Sequence, residues 1–182
     1  AVPLDGVDDL AGVKIRAPEG LVQSVFAAAG ASPVNLPGSE VFTSLDKKVI
    51  DAADYSVFST NQAQGLNEVA PYPGFHSMPL VEISMNKEKW DALPEDLQQV
   101  MTQSVRDFAR VQVAALAEAD AAAVAEAEAG GTITVHDWSD EERTKFRGIA
   151  MGEWEKVAGQ SPAAQQVYDA LTAYLTEKGL VQ

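Results

Sequence analysis

The chain contains no cysteine, which removes disulfides, a thiol nucleophile and thiolate metal sites together. Histidine is nearly as scarce, with two residues, His76 and His136. No Gly-x-Ser-x-Gly, Walker-type loop, Gly-x-Gly-x-x-Gly or His-Glu-x-x-His occurs, so no nucleophile with a matched base and no phosphate cradle is announced. Bases are outnumbered by acids, 13 against 27, for a formal charge of −14. Such a balance repels a phosphate backbone and excludes nucleic acid as a partner. An acidic surface instead favours solubility and suits a salty medium. No apolar run approaches the ~18 residues of a membrane span. The N-terminal Ala1-Val2-Pro3-Leu4-Asp5 has neither the basic nor the apolar stretch of a signal peptide, and the expectation is that any export signal has been removed or was never part of this sequence.

What is present suffices for a core: 182 residues, 46% of them hydrophobic, make one domain of ordinary size or one and a half small ones. The first part alternates short strand and helix signals. Val13-Lys14-Ile15-Arg16 has the period of a half-buried strand and closes at Pro18. Residues 20–30 read as a helix and 32–36 as a second extended piece. Ser39 is the expected N-cap of a helix to about Lys47, and 49–55 reads as a third strand. Connections this short argue for a parallel or mixed sheet of βαβ type. A weaker helix near 62–69 leads through the loop 71–76 to a fourth strand over 80–85.

The remainder differs in kind. Asn86 caps a short turn ending near Leu93, and Pro94 opens a helix that no proline or glycine interrupts before Gly130. About 35 residues of helix span ~50 Å. Glu95 and Asp96 lie at its positive end. Leu97, Met101, Val105 and Phe108 follow one face before the sequence turns alanine-rich. A coiled-coil arm, a dimerisation helix and a strut between two lobes compete as explanations. Thr132-Ile133-Thr134-Val135 reads as one more strand. Ser139 and Glu142 form a capping box for a helix to about Ala158, and Ser161-Pro162 opens a last helix to about Lys178.

Arg16 is the leading candidate for binding. At the C-terminal end of a parallel strand it points into the crevice where α/β folds bind ligands, and its planar fork matches a carboxylate. The alternative is a surface arginine on an edge strand. Asp54 ends the third strand, level with Arg16 if the two strands are parallel neighbours. It either pairs with Arg16 or holds a hard cation with a backbone carbonyl, and spacing alone leaves both open. His76 follows a Pro-Gly turn on the crevice side. His136, beside Asp137 and Trp138, reads as part of a surface pair.

Taken in order, Asp9-Leu10-x-Gly12-x-Lys14-Ile15-Arg16-x-Pro18, Gly30-Ala31-Ser32-Pro33-Val34, Ser39-Glu40-Val41-Phe42-x-x-Leu45 and Val49-Ile50-Asp51-Ala52-Ala53-Asp54-Tyr55 resemble the solute-binding proteins of tripartite ATP-independent periplasmic (TRAP) transporters. The likeness continues through Tyr72-Pro73-Gly74-Phe75-His76 and Asn86-Lys87-x-x-Trp90-Asp91-x-Leu93-Pro94-x-Asp96-Leu97-Gln98. It implies an α/β fold: a periplasmic-binding-protein type II-like lobe with a mixed sheet, then a long lobe-spanning helix and C-terminal helices. Residues 1–85 would form the lobe with ligand-facing strands and 86–130 the connecting helix. Residues 131–182 would be a strand plus C-terminal helices belonging partly to the other lobe.

The resemblance also implies a binding protein rather than an enzyme. It would capture a small organic acid, a 2-oxo or 2-hydroxy carboxylate, in the periplasm and pass it to membrane permease subunits. Arg16 then grips the carboxylate. A metal ion, sodium or calcium, bridges ligand and protein through the Asp54 side chain and the Tyr55 carbonyl, and Tyr55 stands where members usually carry tryptophan or phenylalanine. Phe75 and His76 become pocket wall. Members are longer than this chain and match it over their later part, so the expectation is a fragment, partnered by a second copy or by a complementing N-terminal chain. Two other functions remain: a hydrolase or lyase using His76 with Asp54, and a helix-mediated dimerisation fragment.

Overall fold

Strand β1 (Lys14–Arg16) lies at the centre of a three-stranded sheet, between β2 (Ser32–Val34) and β3 (Ala52–Ala53). In this computed structural model, which describes residues 2–74 and 83–181, both pairings are parallel. Ile15 stands opposite Pro33 and Ala52, and Arg16 opposite Val34 and Ala53. Pro33 is tolerated because β2 is an edge strand, where a missing N–H leaves no partner unsatisfied. Alternation sends neighbouring residues to opposite faces. On one face Ile15 packs with Leu10, Val13, Ala17, Phe26 and Ala31, against which Ala52 also lies. On the other, Val34 and Ala53 pack against Val41, Leu45, Ile50 and Leu66. Arg16 is in register with that second pair and shares their face. Helix α1 (Leu21–Ala28) connects β1 to β2, and α2 (Val41–Asp46) connects β2 to β3, so each crossover supplies one cover.

Local chemistry explains the departures from the sequence expectation. Strand β3 is shorter than the expected 49–55 because the Asp51 carboxylate accepts the Lys14 N–H at 3.0 Å, taking a donor that a longer backbone ladder would use. Ser39 does not cap α2; it lies inside a 3-10 turn, Gly38–Glu40, that precedes the helix. The single helix expected near 62–69 is two, α3 (Phe58–Ala63) and α4 (Leu66–Val69), separated where Gly65 turns left-handed at φ 76°.

The fourth strand is expected over 80–85, of which 80–82 lie outside the described residues and 83–85 are irregular. No strand forms at 132–135 either. Thr134 and His136 donate to the carbonyls of Pro71 and Pro73 at 2.8 and 2.9 Å, the spacing of a parallel ladder. The intervening donation would come from residue 73, and Pro73 has no N–H. Among the described residues the sheet is therefore parallel throughout rather than mixed.

The helical part follows its sequence signals closely. Asn86 caps α5 (Lys87–Asp91) by accepting from the Lys89 N–H at 3.1 Å. Pro94 stands just outside α6 (Glu95–Ala129), a helix of 35 residues. It ends where the Thr132 N–H and hydroxyl both donate to the Ala127 carbonyl. Its last turns pack on α3, where Phe58, Ala127 and Ile133 form a third core cluster with Ala123, Val124 and Val135.

Helices α7 (Asp140–Ala158) and α8 (Pro162–Glu177) are capped by the Ser139 and Ser161 hydroxyls. The expected capping box is only half made. Glu142 accepts from the Val7 N–H at 2.6 Å instead, and Gly6 gives it room, since a Cβ there would lie 2.6 Å from the carboxylate. Phe146 of α7 meets Phe26 of α1 at 5.7 Å between ring centroids, and Trp138 edge-on at 5.3 Å. The Trp138 indole donates to the Leu4 carbonyl. These contacts hold the start of α7 and the residues before it against α1 and the N-terminal segment.

Candidate functional site

Arg16 is half-buried at the C-terminal end of the central strand, and its guanidinium is held from three directions. Nε donates to the Leu36 carbonyl at 3.1 Å, just after β2. Nη1 donates to the Asp54 carbonyl at 2.8 Å, just after β3. The Tyr55 ring lies beneath Cζ, 5.6 Å from centroid to carbon, within the range of a cation–π contact. Parallel pairing makes this possible, because both neighbours end at the same level as β1. The backbone closes the arrangement, with the Asp54 N–H donating to the Arg16 carbonyl at 2.8 Å.

A guanidinium carries five N–H donors. The Leu36 carbonyl takes the Nε–H and so closes the fork formed by Nε and Nη2. Three N–H groups, one on Nη1 and two on Nη2, have no acceptor among the described residues. No carboxylate of the described residues lies within ion-pair distance of Arg16. The pairing with Asp54 that spacing had left open is therefore a contact with its main chain. Carbonyls orient an arginine without neutralising it, which leaves a positive, directed fork where an anion fits.

The other candidates sort less evenly. Asp54 and Tyr55 sit beside Arg16, and both are half-buried. Phe75 and His76 lie outside the described residues. No group of three or more acidic or histidine side chains is placed to hold a metal ion among the described residues. His136 is not a surface pair with Asp137. Its side chain is 17% exposed, and Nδ1 lies 2.5 Å from Asp5 Oδ1. Asp137 pairs with Arg143 instead. The Tyr72 ring meets the imidazole edge-on at 5.5 Å.

Sequence reasoning missed two contributors, Leu36 and Gly38. Leu36 acts through its carbonyl, which carries no side-chain signature. Gly38 acts by having no side chain, since a Cβ would stand 3.0 Å from the Tyr55 hydroxyl. A Pro-Gly pair after a strand signals a turn, and nothing in that signal says which ring will lie against it.

Comparison with known proteins identifies the family. The family model described as bacterial extracellular solute-binding protein, family 7 (DctP), matches residues 1–160. A monocarboxylate 2-oxoacid-binding periplasmic protein of Nostoc is 29% identical over 175 residues, covering 94% of this chain and 48% of the relative. The 2,3-diketo-L-gulonate-binding periplasmic protein of Escherichia coli is 29% identical over 119 residues, covering 64% of this chain and 36% of its own. The chain thus spans about half the length of the curated relatives it matches, or less.

Among solved structures, an apo, open TRAP periplasmic solute-binding protein from Rhodobacter sphaeroides is 66% identical. It superposes with a TM-score of 0.82, over 99% of this chain and 58% of that one. Another, from Rhodoferax ferrireducens with bound malonate, is 22% identical with a TM-score of 0.82, over 100% and 59%. At that identity the likeness is one of fold alone.

Proposed function

The chain belongs to family 7 of the bacterial extracellular solute-binding proteins, and from that premise we propose that it carries the carboxylate-gripping part of a site for a small organic acid. The acid would be a 2-oxo or 2-hydroxy monocarboxylate, passed to the membrane permease subunits of a TRAP transporter. The family is periplasmic and serves transport, so the chain is not an enzyme, and the hydrolase reading that used His76 with Asp54 has no support. The observation that carries the proposal is the state of Arg16: oriented by two carbonyls and a ring, paired with no carboxylate among the described residues, and with three N–H donors that have no acceptor among them. The name of the Nostoc relative, a 2-oxoacid-binding protein, suggests the ligand class.

Binding here means capture without chemistry, and Arg16 supplies the charge-assisted part of it. Calorimetric titration of pyruvate into the full-length gene product tests the ligand. Binding that falls by about 100-fold in Arg16→Ala, the worth of two charge-assisted hydrogen bonds, supports the proposal. Unchanged affinity in that variant overturns it.

A cation bridging the ligand to the Asp54 side chain and the Tyr55 carbonyl is the finer part of the same proposal. A calcium ion takes six to eight oxygens, and no cage of three acidic or histidine side chains stands among the described residues. Two oxygens from this chain would leave the ligand and other groups to complete the shell. Pyruvate affinity that depends on sodium, or that falls when calcium is chelated, supports the bridge. Affinity indifferent to both removes it.

The division into a lobe over 1–85, a connecting helix over 86–130 and a C-terminal part over 131–182 belongs with this proposal. The exposed first half of α6 supports it. Limited proteolysis checks the boundaries, with cleavage expected near residues 85 and 130 before the lobe itself is cut.

A further inference from the structure

The loop between β2 and α2 serves Arg16 twice. Its Leu36 carbonyl takes the Nε–H at 3.1 Å. Two residues later, Gly38 faces the edge of the Tyr55 ring, where an added Cβ would stand 3.0 Å from Oη and 3.1 Å from Cε2. Real side chains seldom pack that closely, so any residue larger than glycine would make the ring give way. The ring in turn lies beneath the Arg16 guanidinium, 5.6 Å from Cζ. Gly38, Tyr55 and Arg16 are thus three contiguous layers, and a push on the first reaches the third.

We propose that Gly38 and the Tyr55 ring aim Arg16, so that it receives a carboxylate through the N–H groups left on Nη1 and Nη2 and not through Nε–H. The inference deepens the reading of Arg16 as the carboxylate anchor and rests on it. The argument is geometric. An arginine side chain has several rotatable bonds, and an exposed one spreads over many rotamers. Here Nε and Nη1 are pinned by carbonyls just beyond the ends of two different strands, which fixes the plane of the fork. The ring under Cζ fixes its height. A ligand then meets a preoriented guanidinium and does not have to order it. Tyr55 acts through Arg16 and is a positioning residue, as is Gly38.

The test is a double-mutant cycle on the full-length gene product, read two ways. Pyruvate affinity is measured by calorimetry. The Arg16 Nε–H resonance is followed by NMR without ligand, because its hydrogen bond to Leu36 reports the aim of the side chain directly. Removing the ring in Tyr55→Leu is expected to weaken pyruvate binding by about two- to fivefold, the worth of a cation–π contact at a partly exposed site. Gly38→Val should weaken it by a similar factor and shift the Nε–H resonance. Gly38→Ala should act in the same direction by less, which keeps the test available if the valine variant folds poorly.

In the Tyr55→Leu background, Gly38→Val should add almost nothing, because the ring that transmits the push is gone. Additive losses in affinity, or an Nε–H resonance indifferent to both Gly38 variants, overturn the aiming role. A resonance that responds as expected in a protein that binds no pyruvate leaves the aiming intact and sinks the oxo-acid reading instead. Pyruvate binding with an unresponsive resonance does the reverse.

Discussion

The two ends of α6 make an instructive contrast. From Glu95 to about Ala115 the helix carries its large apolar residues, yet Val100, Phe108, Val111 and Val113 are 56 to 69% exposed. From Leu116 onward it is mostly alanine and acid, and this is the part that packs: Leu116, Asp120, Ala123, Val124 and Ala127 turn inward onto α3. Hydrophobic periodicity alone would rank the two ends the other way. Alanine suits the packed end because a short side chain lets helices approach closely. The apolar stripe of the first end has no cover among the described residues. A pattern in a sequence says which face wants burial; a neighbour has to be present for burial to happen.

The largest expected effect lies at the packed end. Phe58→Ala should cost about 3 to 5 kcal/mol, because it empties the centre of the third cluster. Urea unfolding measures it, and a cost below that of a surface change would mean that the cluster does not anchor α6. Next comes Asp120→Ala, at about 1 kcal/mol. The Asp120 carboxylate accepts the Ser59 N–H at 2.9 Å and serves α3 as a cap supplied by another helix. Thermal unfolding with Asp120→Asn beside it separates the acceptor from the charge, and the asparagine variant should recover part of the loss.

Pro73→Ala should change stability little. It adds a hydrogen bond worth about 1 kcal/mol and gives back a similar amount by freeing the unfolded chain. Its signature is a new amide at residue 73, protected from exchange by the Thr134 carbonyl. An unprotected amide there would remove the proposed reason for the missing strand. The smallest effect belongs to the exposed end, where Phe108→Ala should shift stability by about 0.5 kcal/mol or less. A loss rivalling Phe58→Ala would show that the stripe is covered in solution and would end the contrast.

Much of this was legible before any coordinates. The Lys14–Arg16 strand, helix α1, the Asn86 cap, the long helix with both ends, and the serine caps of α7 and α8 all follow from local signals, and local signals decide local structure. The errors fell where a distant group intervened. Asp51 spent a donor of β1, Pro73 withheld one from the segment at 134–136, and Val7 drew Glu142 away from its own helix. Of the candidate site, Arg16 and Asp54 were named from residue type and strand position, and Tyr55 from the family resemblance. The partner actually used, the Asp54 carbonyl instead of its carboxylate, was not, because main-chain groups are the same at every position.

The sequence by itself determined the lengths and ends of α6, α7 and α8, the order of strand and helix as far as the third strand, and the arginine at the end of the central strand. Each of these depends on residues within a few positions of one another. Tertiary structure alone decided which end of α6 is buried and which acceptors hold Arg16. It also decided how Gly38, 22 positions from Arg16, comes to bear on the Tyr55 ring beneath that arginine. Those outcomes depend on what arrives opposite each residue once parallel pairing has brought three strand ends level. Distance along the chain does not record it.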